Sequence, residues 1–170
     1  MIENQTRWKQ ILRFILIAPF LLLLIPLLLV GLVVWFPVVK IYEQWLKYCF
    51  WKQHGKFGRF ILFVYSDSPN WKDYIEQNIL PDIGPHVVTL NWSKRREWGK
   101  SNPFESKVFY RWAGQKEFNP IAILLLPNGK VKKVRFWQAF RDYKHGNDTL
   151  LNEAEKMLLN EVENHGNRVA

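Results

Sequence analysis

The sequence predicts an α/β fold, a mixed sheet with flanking helices, preceded by one N-terminal transmembrane helix. Three observations lead there. Phe14 to Phe36 holds no charged residue in 23 positions. Beyond Gly58, apolar strand-like runs and helix-period segments follow one another in the order β-α-β-α-β-β-α. A Pro-Asn-Gly step at Pro127 to Gly129 separates the last two strand patterns, as a hairpin requires. The chain of 170 residues has room for one domain of about 100–150 residues and an accessory segment.

The expected organisation is a short basic N-terminus at 1–13, the span at 14–36, an amphipathic juxtamembrane helix or linker at 37–56, the domain at 57–166 and a tail at 167–170. At about 1.5 Å per residue the span is roughly 35 Å long, against a hydrocarbon core of about 30 Å. A cleaved signal peptide would have an apolar region of about 7–15 residues ending in small side chains. This run ends in Trp35, Phe36 and Pro37, so the segment is expected to stay as an anchor. Pro19 and Pro26 should bend the helix rather than break it. Arg7, Lys9 and Arg13 precede the span, whereas Lys40, Lys47, Lys52, Lys56 and Arg59 follow it. That excess predicts a single-pass membrane protein with its soluble domain on the cytoplasmic side.

Composition points the same way. The formal charge of +9 favours anionic partners, and nine tryptophans and twelve phenylalanines suit a membrane interface. Cys49 is the single cysteine, so no internal disulfide forms, and a free thiol beside a span fits a reducing compartment.

After the span, Val38, Ile41, Tyr42, Trp45, Tyr48 and Cys49 recur at helical spacing and make one apolar stripe. Lys40, Trp45, Lys47, Trp51 and Lys52 suit a helix at headgroup level, with rings at the boundary and lysines reaching out. The lesser alternative is that the stripe packs on the domain, because periodicity does not name its partner. Gly55 and Gly58 end the helix.

In the domain, residues 59–65 read as a buried strand. Residues 69–80 read as a helix with Trp71, Tyr74, Ile75, Ile79 and Leu80 on one face, closed by Pro81. Residues 86–93 are a second strand, 93–103 a polar basic connection, and 103–114 a helix stopped by Gly114. Ile121 to Leu126 and Lys130 to Trp137 form the hairpin, whose Asn-Gly pair supplies positive φ angles. The last helix starts at Asn147 or Asp148 and turns Leu151, Ala154, Leu158 and Val162 inward, with Gly166 as its stop.

This order resembles the thioredoxin-like superfamily over residues 57 to 164. Ser68-Pro69-Asn70-Trp71 falls where that family's C-x-x-C opens its first helix. Pro120, directly before an apolar strand, matches the family's cis-proline, and Leu124 to Val131 matches the following hairpin. The resemblance implies a thioredoxin-like mixed sheet and a redox-inactive member. Disulfide exchange needs an attacking thiolate and a second, resolving thiol, and Ser68 and Trp71 stand in their places.

Ser66, Asp67, Ser68 and Asn70 are side chains that hydrogen-bond at a helix start. The plainest reading makes Asp67 or Ser68 an N-cap and Pro69 the first helical residue, worth about 1 kcal/mol. The functional reading is a ligand or peptide groove floored by Ser68, Asn70, Trp71, Asn119 and Pro120, where exposed backbone pairs with an extended peptide. Hydrolysis finds no support, since His54, His86, His145 and His165 are scattered and no G-x-S-x-G elbow occurs. No histidine pair or cysteine cluster suggests a metal, and no glycine loop suggests a nucleotide, so no cofactor is expected.

Arg95 and Arg96, with Lys94 and Lys100, form one basic cluster; Lys133 and Arg135, with Lys130 and Lys132, form another. Lysines on an outer strand ordinarily discourage edge pairing. Their functional reading is attraction to anionic lipid, at about 1 kcal/mol per basic residue. Nucleic acid is the lesser candidate, although aromatics interleave with charge in residues 134–146 as stacking would need.

The expected function is therefore a membrane-anchored binding or assembly module whose partners are lipid and a protein. The alternative is a membrane-bound non-redox enzyme, or a small-anion-binding protein, using the helix start at Ser66 to Trp71. An enzyme requires a closed pocket at 66–71 with a shifted Asp67; a module requires an open groove with Trp71 exposed.

Overall fold

The computed structural model describes residues 2–114 and 118–166, with side-chain surroundings from Phe20 onward except at Leu21 and Leu23. The tail expected at 167–170 lies outside them. The chain divides into two compact units after Glu43.

The described part of the first unit is helical throughout, within α1, Ile2–His54. Among the described residues α1 is the one helix long and apolar enough to cross a membrane, with a mean hydropathy of 2.4 over its most apolar 18 residues, none of them buried. Leu22 and the side chains from Leu24 to Phe36 are exposed. Pro19, Pro26 and Pro37 lie inside the helix without ending it. The span expected at 14–36 and the juxtamembrane segment expected at 37–56 are one continuous helix: a proline deletes one N–H from the ladder and crowds the turn before it, and here the helix continues through the defect.

The second unit begins at Gln44, within the segment read as a juxtamembrane linker. Its sheet has four strands, β1 Ile61–Tyr65, β2 Val87–Asn91, β3 Ile121–Leu125 and β4 Val131–Arg135, in the order β2-β1-β3-β4. β1 runs parallel to β2 and antiparallel to β3, which pairs antiparallel with β4. β1 and β3 are buried at every position. Their side chains alternate between the faces, so two cores form. Ile61, Phe63, Tyr65, Ala122 and Leu124 join one; Leu62, Val64, Ile121, Ile123 and Leu125 join the other.

The first core is closed by α2 Lys72–Tyr74, a π turn at Ile75–Ile79 and α3 Leu80–Ile83, by α6 Trp137–Tyr143 and by α7 Thr149–Gly166. The second is closed by Phe50 of α1, by Trp98 of α4 Arg95–Ser101 and by Val108 and Phe109 of α5 Phe104–Trp112. Helices on both faces of a mixed sheet make an α/β architecture.

Five local expectations change. Pro81 does not close its helix, which runs on to Ile83; the widened π turn just before it accommodates a residue lacking an N–H. The basic connection contains α4, because Trp98 buries its ring against Trp92 and Phe109. The strand expected to reach Trp137 stops at Arg135, and Trp137 opens α6. The hairpin stands, but Gly129 alone takes positive φ, at 77°, in a three-residue loop closed by Gly129 N–H to Leu126 C=O at 2.9 Å.

The fifth concerns the end of α1. The stripe residues Ile41, Tyr42, Trp45 and Tyr48 are exposed, while Leu46, Phe50 and His54 are buried. These three are spaced i, i+4, i+8, a face of their own. His54 Nε2 meets Glu105 Oε1 at 2.8 Å, tying α1 to α5. Trp51 is half-buried against the first core, its ring over Gly55, where a Cβ would lie 2.3 Å from it. Phe50→Ala should cost about 3–5 kcal/mol and Tyr48→Ala within about 0.5 kcal/mol, as thermal unfolding of the full chain in detergent would report.

Candidate functional site

The parallel register pairs Tyr65 with Asn91, so the two loops leaving β1 and β2 start side by side. Loops at the carboxyl ends of parallel strands are where α/β sheets place ligands. Ser66 to Trp71 is the first of these loops. It folds as a turn in which Ser68 C=O accepts from Trp71 N–H at 3.3 Å and from Lys72 N–H at 3.0 Å. The helix starts only at Lys72, with no side-chain cap, so neither Asp67 nor Ser68 is its N-cap.

Asp67 is held by the neighbouring loop instead. Its backbone N–H donates to Ser93 Oγ at 2.9 Å, and Asn91 Nδ2 donates to its Oδ1 at 3.0 Å. Lys72 Nζ lies 3.5 Å from the same oxygen. The Asn91 hydrogen bond, helped by Lys72 and Lys94 against some desolvation, holds this exposed carboxyl below its ordinary value. A carboxylate so held is a poor proton donor near neutrality. Behind it, Tyr65 donates to Glu76 Oε1 at 2.9 Å; burial first, and Glu76 second, push the phenol up to about 12.

The antiparallel register pairs Val64 with Ile121, which sets Pro120 level with Tyr65 and Asn119 level with Ser66. The Asn119–Pro120 peptide bond is cis. Pro120 is buried, so its ring is no groove floor, and Asn119 is half-buried with Oδ1 lacking a hydrogen-bond partner among the described residues. Ser68 is half-buried, and its Oγ accepts from Asn70.

The open space lies on the other side of Asn70 and Trp71. A cleft of about 320 Å³ is lined by these two residues with Trp137, Phe140, Arg141, Lys144 and His145. Trp71 is half-buried, its indole N–H bonded to Ser66 Oγ at 3.2 Å and its ring 6.3 Å from Phe140. Thus two of the five groove residues read from sequence line the cleft. The other five lining residues belong to α6 and the turn after it, which sequence reading took as a strand end with stacking aromatics. The spacing 137, 140, 141, 144 is one helical face and carried the signal.

The remaining predicted residues scatter. Among those expected at a membrane, Lys40 pairs with Glu43 at 3.1 Å and Lys52 is exposed. Trp45 meets Phe104 edge-on at 6.2 Å. Lys47 is turned into the domain, donating to Gly129 C=O at 2.7 Å, as Trp51 is into the core. Arg95 and Arg96 lie exposed on α4, Arg95 5.1 Å over Trp92. Lys133 and Arg135 lie exposed on β4, at the opposite edge from β2. Phe136 is a core residue and offers no stacking platform. Among the described residues no His, Cys, Asp and Glu cluster is placed to hold a metal.

Comparison with family models, with curated proteins and with solved structures finds no match for this chain.

The tie between the two loops has a pH signature. A carboxyl with a lowered folded value adds stability that is complete above its unfolded value and fades as pH falls through the folded one. NMR titration of the Asp67 carboxyl should give a midpoint below the ordinary carboxylate value, and Asn91→Ala should move it up.

Proposed function

We propose that this chain is a single-pass membrane protein carrying a redox-inactive thioredoxin-like domain that works as a binding or assembly module. Two features support the fold assignment: the order β2-β1-β3-β4 with β3 antiparallel to the rest, and a proline directly before β3, at the end of the sheet where the Ser66 to Trp71 loop leaves β1. Thiol-disulfide chemistry has no sulfur to use there, since Cys49 lies on α1. The continuity of α1 from the apolar stretch to the buried Phe50 supports a retained anchor, and the lysine excess after it supports a cytoplasmic domain.

One observation carries the functional reading: the cleft beside Trp71 is open, although that ring is half-buried against the first core rather than exposed as expected, while Asp67 and Ser66 at the loop are engaged in holding it. Asp67 and Ser66 are bonded to Asn91 and Trp71. His54, His86 and His165 face Glu105, the Gly58 carbonyl and Glu161. Nothing in this arrangement pairs a serine with a base, so binding is preferred to catalysis.

A photo-crosslinking residue at Asn70, in the full chain in native membranes, should capture one protein by mass spectrometry that the same residue at Lys156 does not. Equal capture from both positions overturns the module. Protease added to sealed vesicles with the cytoplasmic side outward should digest the domain; protection of residues 60–166 overturns the orientation.

A further inference from the structure

We propose that the cleft between Trp71 and α6 receives an acidic peptide segment anchored by an aromatic side chain, an inference that rests on the binding-module reading above. Three observations carry it.

The first is the floor. Phe140 is buried in the core, and Trp71 and Trp137 are half-buried beside it. Phe118 stacks on Trp137 at 5.3 Å and 22° and holds that ring in place. A rigid aromatic floor in a space of about 320 Å³ suits one or two side chains of a peptide.

The second is the rim. Arg141, Lys144 and His145 are exposed along it, and among the described residues no carboxylate lines the cleft. Arg141 sits 5.4 Å over the Trp137 ring, and among the described residues Lys144 Nζ reaches the neutral Asn70 Oδ1, at 3.4 Å. Elsewhere Lys40, Lys72 and Lys132 each meet a carboxylate. The nearby Asp142 accepts from Gln138 at 2.7 Å, and Asp67 is taken by Asn91. The positive charge of the cleft is therefore left for an incoming partner, and charge complementarity selects an acidic one.

The third is geometry. The basic side chains occupy one short face of α6 and the turn after it, not a track. Single-stranded nucleic acid needs a cationic groove that follows its backbone over several nucleotides, whereas a peptide with carboxylates flanking one ring matches a compact site. Arg141, already placed over Trp137, has the planar fork that matches a carboxylate.

The test uses the full chain in neutral-lipid nanodiscs, with ¹⁵N-labelled tryptophan observed by NMR. The probe is acetyl-Asp-Glu-Phe-Glu-Asp-amide; its controls are acetyl-Asn-Gln-Phe-Gln-Asn-amide and the acidic peptide with alanine at its centre. The acidic aromatic probe should shift the indole signals of Trp71 and Trp137 and leave those of Trp92 and Trp98, on the opposite core, in place. Each control should bind about tenfold more weakly, and so should the Arg141→Gln/Lys144→Gln variant, as expected for lost charged hydrogen bonds. Arg141→Lys should recover part of the loss, and unchanged Trp92 and Trp98 signals report that the variants are folded. Unmoved Trp71 and Trp137 signals, equal binding of the neutral peptide, or undiminished binding by the double variant each overturn the proposal. So does stronger displacement of the same signals by oligo-thymidylate or by anionic-lipid nanodiscs. If the peptides fail while crosslinking from Asn70 still captures a protein, the acidic specificity falls and the binding module stands.

Discussion

β1 lies between two other strands, and all five of its residues are buried. A strand in that position presents apolar side chains on both faces, each worth about 1.5–3 kcal/mol when taken out of water. Both faces must be covered, and the rest of the domain is arranged around that demand. One face takes α2, α3, α6 and α7. The other takes α4 and α5, and these leave room that the end of α1 fills with Phe50. The segment of α1 from Gln44 onward thus supplies part of the core that holds β1. The buried His54 to Glu105 contact and the Lys47 to Gly129 bond fasten it at two further points.

The same strand sets the position of the cleft. Because β1 and β2 are parallel, their carboxyl ends meet and their outgoing loops interact: Asp67 with Asn91 and Ser93. Because β3 is antiparallel to β1, the residues entering β3 arrive at that same end. Three chain segments therefore crowd one edge of the sheet and stiffen each other. Asn70 and Trp71 project from this edge toward α6, whose own position is fixed by Phe136 and Phe140 in the core. A site walled by two such anchored segments keeps its shape without a ligand, which lowers the ordering cost of binding.

Charge is distributed unevenly over this scaffold. Several surface lysines are paired with carboxylates on neighbouring elements, and exposed pairs of that kind are worth about 0–1 kcal/mol. Lys132 with Glu161 joins β4 to α7 in this way. At the cleft, among the described residues, Arg141 meets a ring and Lys144 an amide instead.

Elements with strong local signals were legible in the sequence. The uncharged run of α1, the apolar runs of β1 and β3, the Asn128–Gly129 turn and the inward face of α7 all follow from periodicity and turn chemistry within a few residues. The proline before β3 was legible too, although its depth in the core was not. Other features depend on partners far along the chain. Leu46, Phe50 and His54 became the buried face of α1 because Phe109 and Glu105 wait for them, not because their own pattern outranks that of Tyr42, Trp45 and Tyr48. Asp67 became a loop tie because Asn91 lies beside it across a parallel pair, and Arg141 and Lys144 became a rim because α6 packs next to Trp71. Local sequence determines which segments are helical, extended or turned, since those energies are set within one or two turns of chain. Which of several apolar faces is buried, and which polar group is left free, was decided by the tertiary structure, because only there do groups distant in sequence compete for the same space and the same hydrogen bonds.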